Sequence, residues 1–181
     1  MEQVELQKLA AEIGEALLKR LGPGGVWPAA APQPRPWTPA AVAAMIDHTI
    51  LRADATEEEV RKLCTEAAEY RFASVCVNPW WAAVAAAELN GTGVKVCTVA
   101  GFPLGMSPTS AKVEEAKRAI GDGASEVDMV IAVGALKSGQ RERVKSDVAA
   151  MAGACHAGGA ILKVIIEACL LTKEEKETAC R

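Results

Sequence analysis

Five apolar runs separated by helix-like stretches constrain the fold of this 181-residue chain more than any other feature. They are Met45–Leu51, Phe72–Val77, Val94–Ala100, Glu126–Val133 and Ile161–Ala168, each nearly continuous in apolar residues. Strands with one wet face alternate apolar and polar residues, whereas parallel strands covered by helices on both sides read as continuous apolar runs. The stretches between them begin with helix-start signals. Thr38 caps a short helix through Ala44 with Pro39 in its first position. Asp54 or Thr56 caps a helix to Tyr70, Asn78-Pro79 opens one through Leu89, and another runs from about Ser107 to Ile120. A single long helix is expected after the fourth strand, to about Ala157, and Thr172 caps the last one. Gly121-Asp122-Gly123 and Gly158-Gly159 fall where helices should turn back into strands.

Strands alternating with helices leave two closed solutions, a doubly wound sheet and a (β/α)8 barrel. The first wants a glycine-rich phosphate loop after its opening strand, and Asp47-His48-Thr49 holds no glycine. The barrel predicts reactive side chains on several strands, aimed inward near their C-terminal ends. The expected fold is therefore α/β, a TIM (β/α)8 barrel. About the first five β/α units are present, because 181 residues fall short of the roughly 250 of a complete barrel. Ahead of it, Leu6, Leu9, Ile13, Leu17 and Leu21 recur at helical spacing, predicting an amphipathic helix over residues 1–21. A Pro/Gly-rich linker follows over residues 22–37, and the partial barrel domain occupies residues 38–181. The leucine face of the helix suits either its own barrel or a second subunit.

A formal net charge of −3 offers no basic field for a nucleic-acid backbone but leaves room for a small anionic substrate. No apolar run reaches membrane-spanning length. Glu2, Glu5, Glu12 and Glu15 interrupt any signal-peptide pattern, which points to a cytoplasmic protein. Six cysteines show no CxxC pair and read as thiols in a reducing compartment. Cys155-His156 is too isolated for a zinc site, and neither a metal nor another cofactor is expected.

The chemistry is concentrated in polar residues inside apolar strands. Side chains alternate along a strand, so Lys163, Ile165 and Glu167 should share one face, and Asp128, Val130 and Ala132 another. A buried lysine and aspartate are costly unless they pair or work. The plain reading is an ion pair closing the barrel interior. The catalytic one is a desolvated lysine beside a carboxylate, its pKa lowered toward neutrality so that the neutral amine can attack a carbonyl or relay a proton. Asp47, in mid-strand, could hold a substrate hydroxyl or simply bond backbone amides. Ser74, Cys76 and Asn78 alternate onto one face, which would place Cys76 and Asn78 at the barrel mouth, although Cys76 alone suits a buried structural thiol. His48 points away from Asp47 and reads as packing, as do Trp80 and Trp81. Gly101–Gly105 lies after a strand, where active-site loops belong, and is a weak signal by itself.

Together, Met45–Leu51, Val75–Pro79, Gly101–Gly105, Glu126–Ile131 and Leu162–Glu167 resemble the deoxyribose-phosphate aldolase family in order and spacing, across Thr38 to Arg181. The resemblance implies reversible cleavage of 2-deoxyribose 5-phosphate to glyceraldehyde 3-phosphate and acetaldehyde by Schiff-base chemistry without metal, in a homo-oligomer. It implies Asp128 as the proton relay, with Lys163 helping to position it. The family's Schiff-base lysine belongs to a Lys-Thr-Ser-type block on the next strand, and a further lysine on the strand after that lowers its pKa. Neither block occurs in these 181 residues, so the chain alone is expected to be inactive. Ser125, Ala132 and Ala168 stand where the family usually has an acidic residue, asparagine and threonine. Two other readings stay open: a barrel enzyme in which Lys163 is itself the nucleophile, and a non-catalytic fragment or assembly subunit.

Overall fold

The five apolar runs form five parallel strands in the order β1-β2-β3-β4-β5, each paired with its sequence neighbours. They are β1 (Asp47–Ile50), β2 (Ser74–Val77), β3 (Lys95–Ala100), β4 (Glu126–Val130) and β5 (Ile161–Ile165). The computed structural model describes residues 37–181, and Thr38–Arg181 form one unit. The helix expected over residues 1–21 and, apart from Trp37, the linker expected over 22–37 lie outside the described residues.

Helices cover the outer face of the sheet. Pro39–Ala43 is α1, capped by the Thr38 hydroxyl, and Glu57–Tyr70 is α2. The latter starts at Thr56 with a reciprocal Thr56–Glu59 capping box, which settles the choice between Asp54 and Thr56. A 3-10 turn, Pro79–Trp81, leads into α3 (Ala82–Glu88), and Thr109–Gly121 is α4. Outward-facing Val75, Val77 and Val96 pack with Val60, Leu63 and Leu89 of the helical layer. Val127 and Met129 pack with Ala116, Met151 and Cys155 in a second cluster. Each buried aliphatic side chain of this kind contributes roughly 1.5–3 kcal/mol, so this layer anchors the strands that carry the inner face.

The helix after the fourth strand and the ends of the fourth and fifth strands differ from expectation. The long helix after the fourth strand is two helices, α5 (Val133–Lys137) and α6 (Arg141–Ala157). Gly139 at φ +76 lets the chain turn between them in a conformation that other residues avoid, while the Ser138 hydroxyl donates to the Gly134 carbonyl. The fourth strand consequently stops at Val130, and Ala132 caps α5 instead of sharing a strand face with Asp128. The fifth strand ends at Ile165. Glu167 sits in the left-handed region at φ 52 and leaves the face it was expected to share with Lys163. After a 3-10 turn at Ala168–Leu170, a Thr172–Glu175 capping box opens α7 (Lys173–Ala179).

Curvature is visible in one contact. A flat sheet would separate β1 and β5 by about 19 Å, four spacings of about 4.8 Å, beyond what a lysine and an aspartate span together. Lys163 Nζ on β5 nevertheless lies 2.7 Å from Asp47 Oδ2 on β1. The sheet therefore curls around its inner face, as a barrel wall does.

Candidate active site

Alternation along the curled strands sends Asp47, Ser74, Cys76, Cys97, Glu126, Asp128 and Lys163 to the concave face. Register brings Asp128 directly opposite Lys163, and Asp47 opposite Ser74. The Lys163 ammonium sits among three carboxylates, 2.7 Å from Asp47 Oδ2 and 3.2 Å from both Glu126 Oε2 and Asp128 Oδ1. Asp47 also accepts a 2.7 Å hydrogen bond from the Ser74 hydroxyl. Three carboxylates against one ammonium leave the cup with a formal charge of −2.

The ion pair foreseen between Asp128 and Lys163 is thus one side of a four-residue cluster. Glu126 was missed, although it precedes Asp128 by two residues and shares its face. Asp128 Oδ1 is buried and lies 3.2 Å from the Lys163 ammonium without a well-formed hydrogen bond. That leaves an acceptor for a hydroxyl or a water.

The expected lowering of the Lys163 pKa is reversed. Burial does act against its charge, but the hydrogen bond to Asp47 and the charge of Asp128 outweigh it and hold the group above the ordinary lysine value. Asp47 shows the complementary balance. Burial pushes its carboxyl up, and hydrogen bonds from Lys163 and Ser74 bring it below its ordinary value. That balance favours the ammonium form of Lys163, which can orient a carboxylate or donate a hydrogen bond.

Cys76 is buried on the inner face beside Cys97, Val99 and Leu51. Its neighbour and burial push the Cys97 thiol far up. Asn78 is half-buried, and its amide donates to the Leu51 carbonyl at 3.2 Å, tying the ends of β1 and β2 together. His48 bonds Glu66 at 2.8 Å and meets the Phe72 ring edge-on, consistent with packing. Trp81 packs against the first cluster, while Trp80 is exposed.

The Gly101–Gly105 loop is built more tightly than its sequence suggested. Gly101 and Gly105 both have positive φ, and the Gly105 amide donates to the Gly101 carbonyl at 2.8 Å. A Cβ on Gly105 would meet the Ile131 carbonyl oxygen at 2.1 Å, so the loop is seated directly on the end of β4. Beneath it lies an ion pair that the sequence did not reveal. Lys112 Nζ contacts Asp147 Oδ2 at 2.6 Å and the Val130 carbonyl at 3.4 Å, with the ammonium 1% and the carboxylate 7% exposed. The Thr109 hydroxyl donates to Asp147 Oδ1 at 2.7 Å. This cluster clamps α4 and α6 to the strand that carries Asp128.

The chain is similar in sequence and fold to known aldolases. Residues 41–179 match the family described as DeoC/LacD family aldolase. A deoxyribose-phosphate aldolase of Geobacillus sp. (strain WCH70) is 59% identical over 140 residues, which are 77% of this chain and 62% of that protein. The chain thus spans less than two thirds of that relative's length. Among solved structures, a candidate deoxyribose-phosphate aldolase from Coccidioides immitis superposes with a TM-score of 0.77 at 39% identity, over 93% of this chain and 66% of that one. The deoxyribose phosphate aldolase from Aeropyrum pernix, described as a tetramer, gives 0.73 at 34% identity over 78% of this chain and 59% of its own.

Proposed function

The chain belongs to the DeoC/LacD aldolase family, and from that membership we propose that its inner face is the proton-handling part of a deoxyribose-phosphate aldolase site. The reaction is reversible cleavage of 2-deoxyribose 5-phosphate to glyceraldehyde 3-phosphate and acetaldehyde. A lysine in a Lys-Thr-Ser-type block, outside these 181 residues, would form the Schiff base. Asp128 then moves protons through a water between the bound enamine and the leaving aldehyde. Lys163 fixes the position and charge of Asp128, Asp47 and Ser74 hold Lys163, and Cys76 and Asn78 border the substrate. The observation that carries this reading is the Lys163 ammonium bridging Asp47 at 2.7 Å and Asp128 at 3.2 Å. The charged form that these carboxylates favour is not a nucleophile, and it holds a relay carboxylate in one orientation.

Homo-oligomer formation and a cytoplasmic location belong to the same proposal. The relative from Aeropyrum pernix, described as a tetramer, supports the first. No helix among the described residues is long and apolar enough to cross a membrane.

The test is Asp128→Asn in a polypeptide that carries both this segment and the Lys-Thr-Ser block. Cleavage of 2-deoxyribose 5-phosphate should fall by about 10²–10⁴, the usual contribution of general acid–base catalysis, with the fold unchanged. Activity within a few-fold of the parent would reduce Asp128 to a structural partner of Lys163.

A further inference from the structure

The inner face holds a second constellation that proton transfer does not use as a set. Cys76 and Cys97 are register partners on adjacent parallel strands, with side chains on the same face. Their sulfurs and a carboxylate oxygen of Asp128 all lie within 4.8 Å of one another. Among the described residues, Cys97 Sγ has the Cys76 thiol beside it and a long 3.7 Å contact to the Thr98 carbonyl, and the buried Asp128 Oδ1 has the Lys163 ammonium at 3.2 Å without a well-formed hydrogen bond. We infer that Cys76, Cys97 and Asp128 bind a soft divalent cation, Zn²⁺ or Cd²⁺, and that this cation competes with Lys163 for Asp128.

The donor set selects the ligand class. Two sulfurs with one carboxylate suit a thiophilic ion and not Mg²⁺ or Ca²⁺, which prefer all-oxygen shells. Tetrahedral zinc, with bonds of about 2.3 Å to sulfur, places its sulfurs about 3.8 Å apart, so the group need contract by at most about 1 Å. Small side-chain rotations achieve this, and the fourth position is left to solvent. Binding breaks two S–H bonds, forms two metal–sulfur bonds and one metal–oxygen bond, and releases two protons. The formal charge of −2 contributed by Asp47, Glu126, Asp128 and Lys163 attracts the ion. Asp128 and Lys163 remain partly exposed beside the buried sulfurs and give it a path in.

Competition follows from the shared carboxylate. Asp128 cannot coordinate a dication fully and also stay 3.2 Å from an ammonium without repulsion between the two cations. The bound ion therefore pushes Lys163 toward Asp47 and Glu126. On the aldolase reading, on which this consequence alone rests, occupation would switch off the proton relay.

Cadmium binding tests the site without reference to activity. The exposed Cys169 and Cys180 are replaced by serine, and the chain is titrated with cadmium chloride while its thiolate charge-transfer absorbance is followed. Cys64 and Cys155 lie in the outer clusters, away from the inner face. One equivalent should bind saturably. Cys76→Ser, Cys97→Ser and Asp128→Asn should each weaken binding at least about tenfold, as loss of a ligand or its support does. Lys163→Met, which removes the competing cation, should tighten it. Circular dichroism checks each variant's fold, and Asp128→Asn decides alone if a serine variant unfolds. Absence of a saturable band, or a band unmoved by these variants, overturns the site. Affinity unchanged in Lys163→Met overturns the competition. A failed aldolase assay would affect neither result.

Discussion

Replacing Lys112 by methionine should destabilise the protein more than any change on the concave face. Methionine keeps most of the stem volume but removes the ammonium that faces Asp147 at 2.6 Å, where both groups are almost wholly out of water. Asp147 would keep one hydrogen bond, from Thr109, and no counter-charge. Removing one partner of a buried pair costs about 3–5 kcal/mol, because the remaining charge stays desolvated. Against a total stability of about 5–15 kcal/mol, this is a large fraction. At roughly 2–4 °C per kcal/mol for a domain of this size, the midpoint should fall by roughly 6–20 °C. The double variant Lys112→Met/Asp147→Leu should recover most of the loss, since an apolar pair of similar volume often matches a buried ion pair. Thermal melts followed by circular dichroism read both numbers. A single variant within about 1 kcal/mol of the parent would show that water reaches Asp147, and the clamp on β4 would then have to be abandoned.

Two further outcomes follow from the same geometry. Gly105→Ala should destabilise by at least about 2 kcal/mol, since it combines a positive φ with a backbone clash at Ile131, and hydrogen exchange should rise at the end of β4; a variant as protected as the parent would show that the loop is not seated there. Because the folded Asp47 pKa is lowered, its contribution is present above the unfolded value of about 3.9 and is lost as pH falls through the folded value. Asp47→Asn should accordingly flatten the acid limb of the stability profile measured by urea unfolding, and an unchanged limb would assign acid sensitivity elsewhere.

Most of the architecture was legible because parallel strands and capped helices write themselves locally. The continuous apolar runs located every strand, and Thr56 and Thr172 marked helix starts through side chains that bond their own backbone. The split between α5 and α6 was missed because one glycine, Gly139, does its work through φ, which no periodicity records. Glu167 left its expected face for the same kind of reason. At the site, period-two spacing pointed to Asp128 and Lys163, but pairing across the sheet had to be seen. Asp47 and Lys163 meet only because the sheet curls, and Lys112 meets Asp147 across two helices that share no local pattern. The direction of the Lys163 shift was misjudged because burial of one residue is visible in a sequence, whereas three converging carboxylates are not.

The central claim is that Lys163 is an ammonium that positions Asp128. Its protonation can be followed directly by NMR of side-chain-labelled lysine, with Lys163→Met identifying the signal. The account predicts a titration midpoint above the ordinary value of about 10.4, moving down in Asp47→Asn as its hydrogen-bond partner loses charge. A midpoint near neutral pH in the parent would contradict it and return Lys163 to candidacy as the nucleophile.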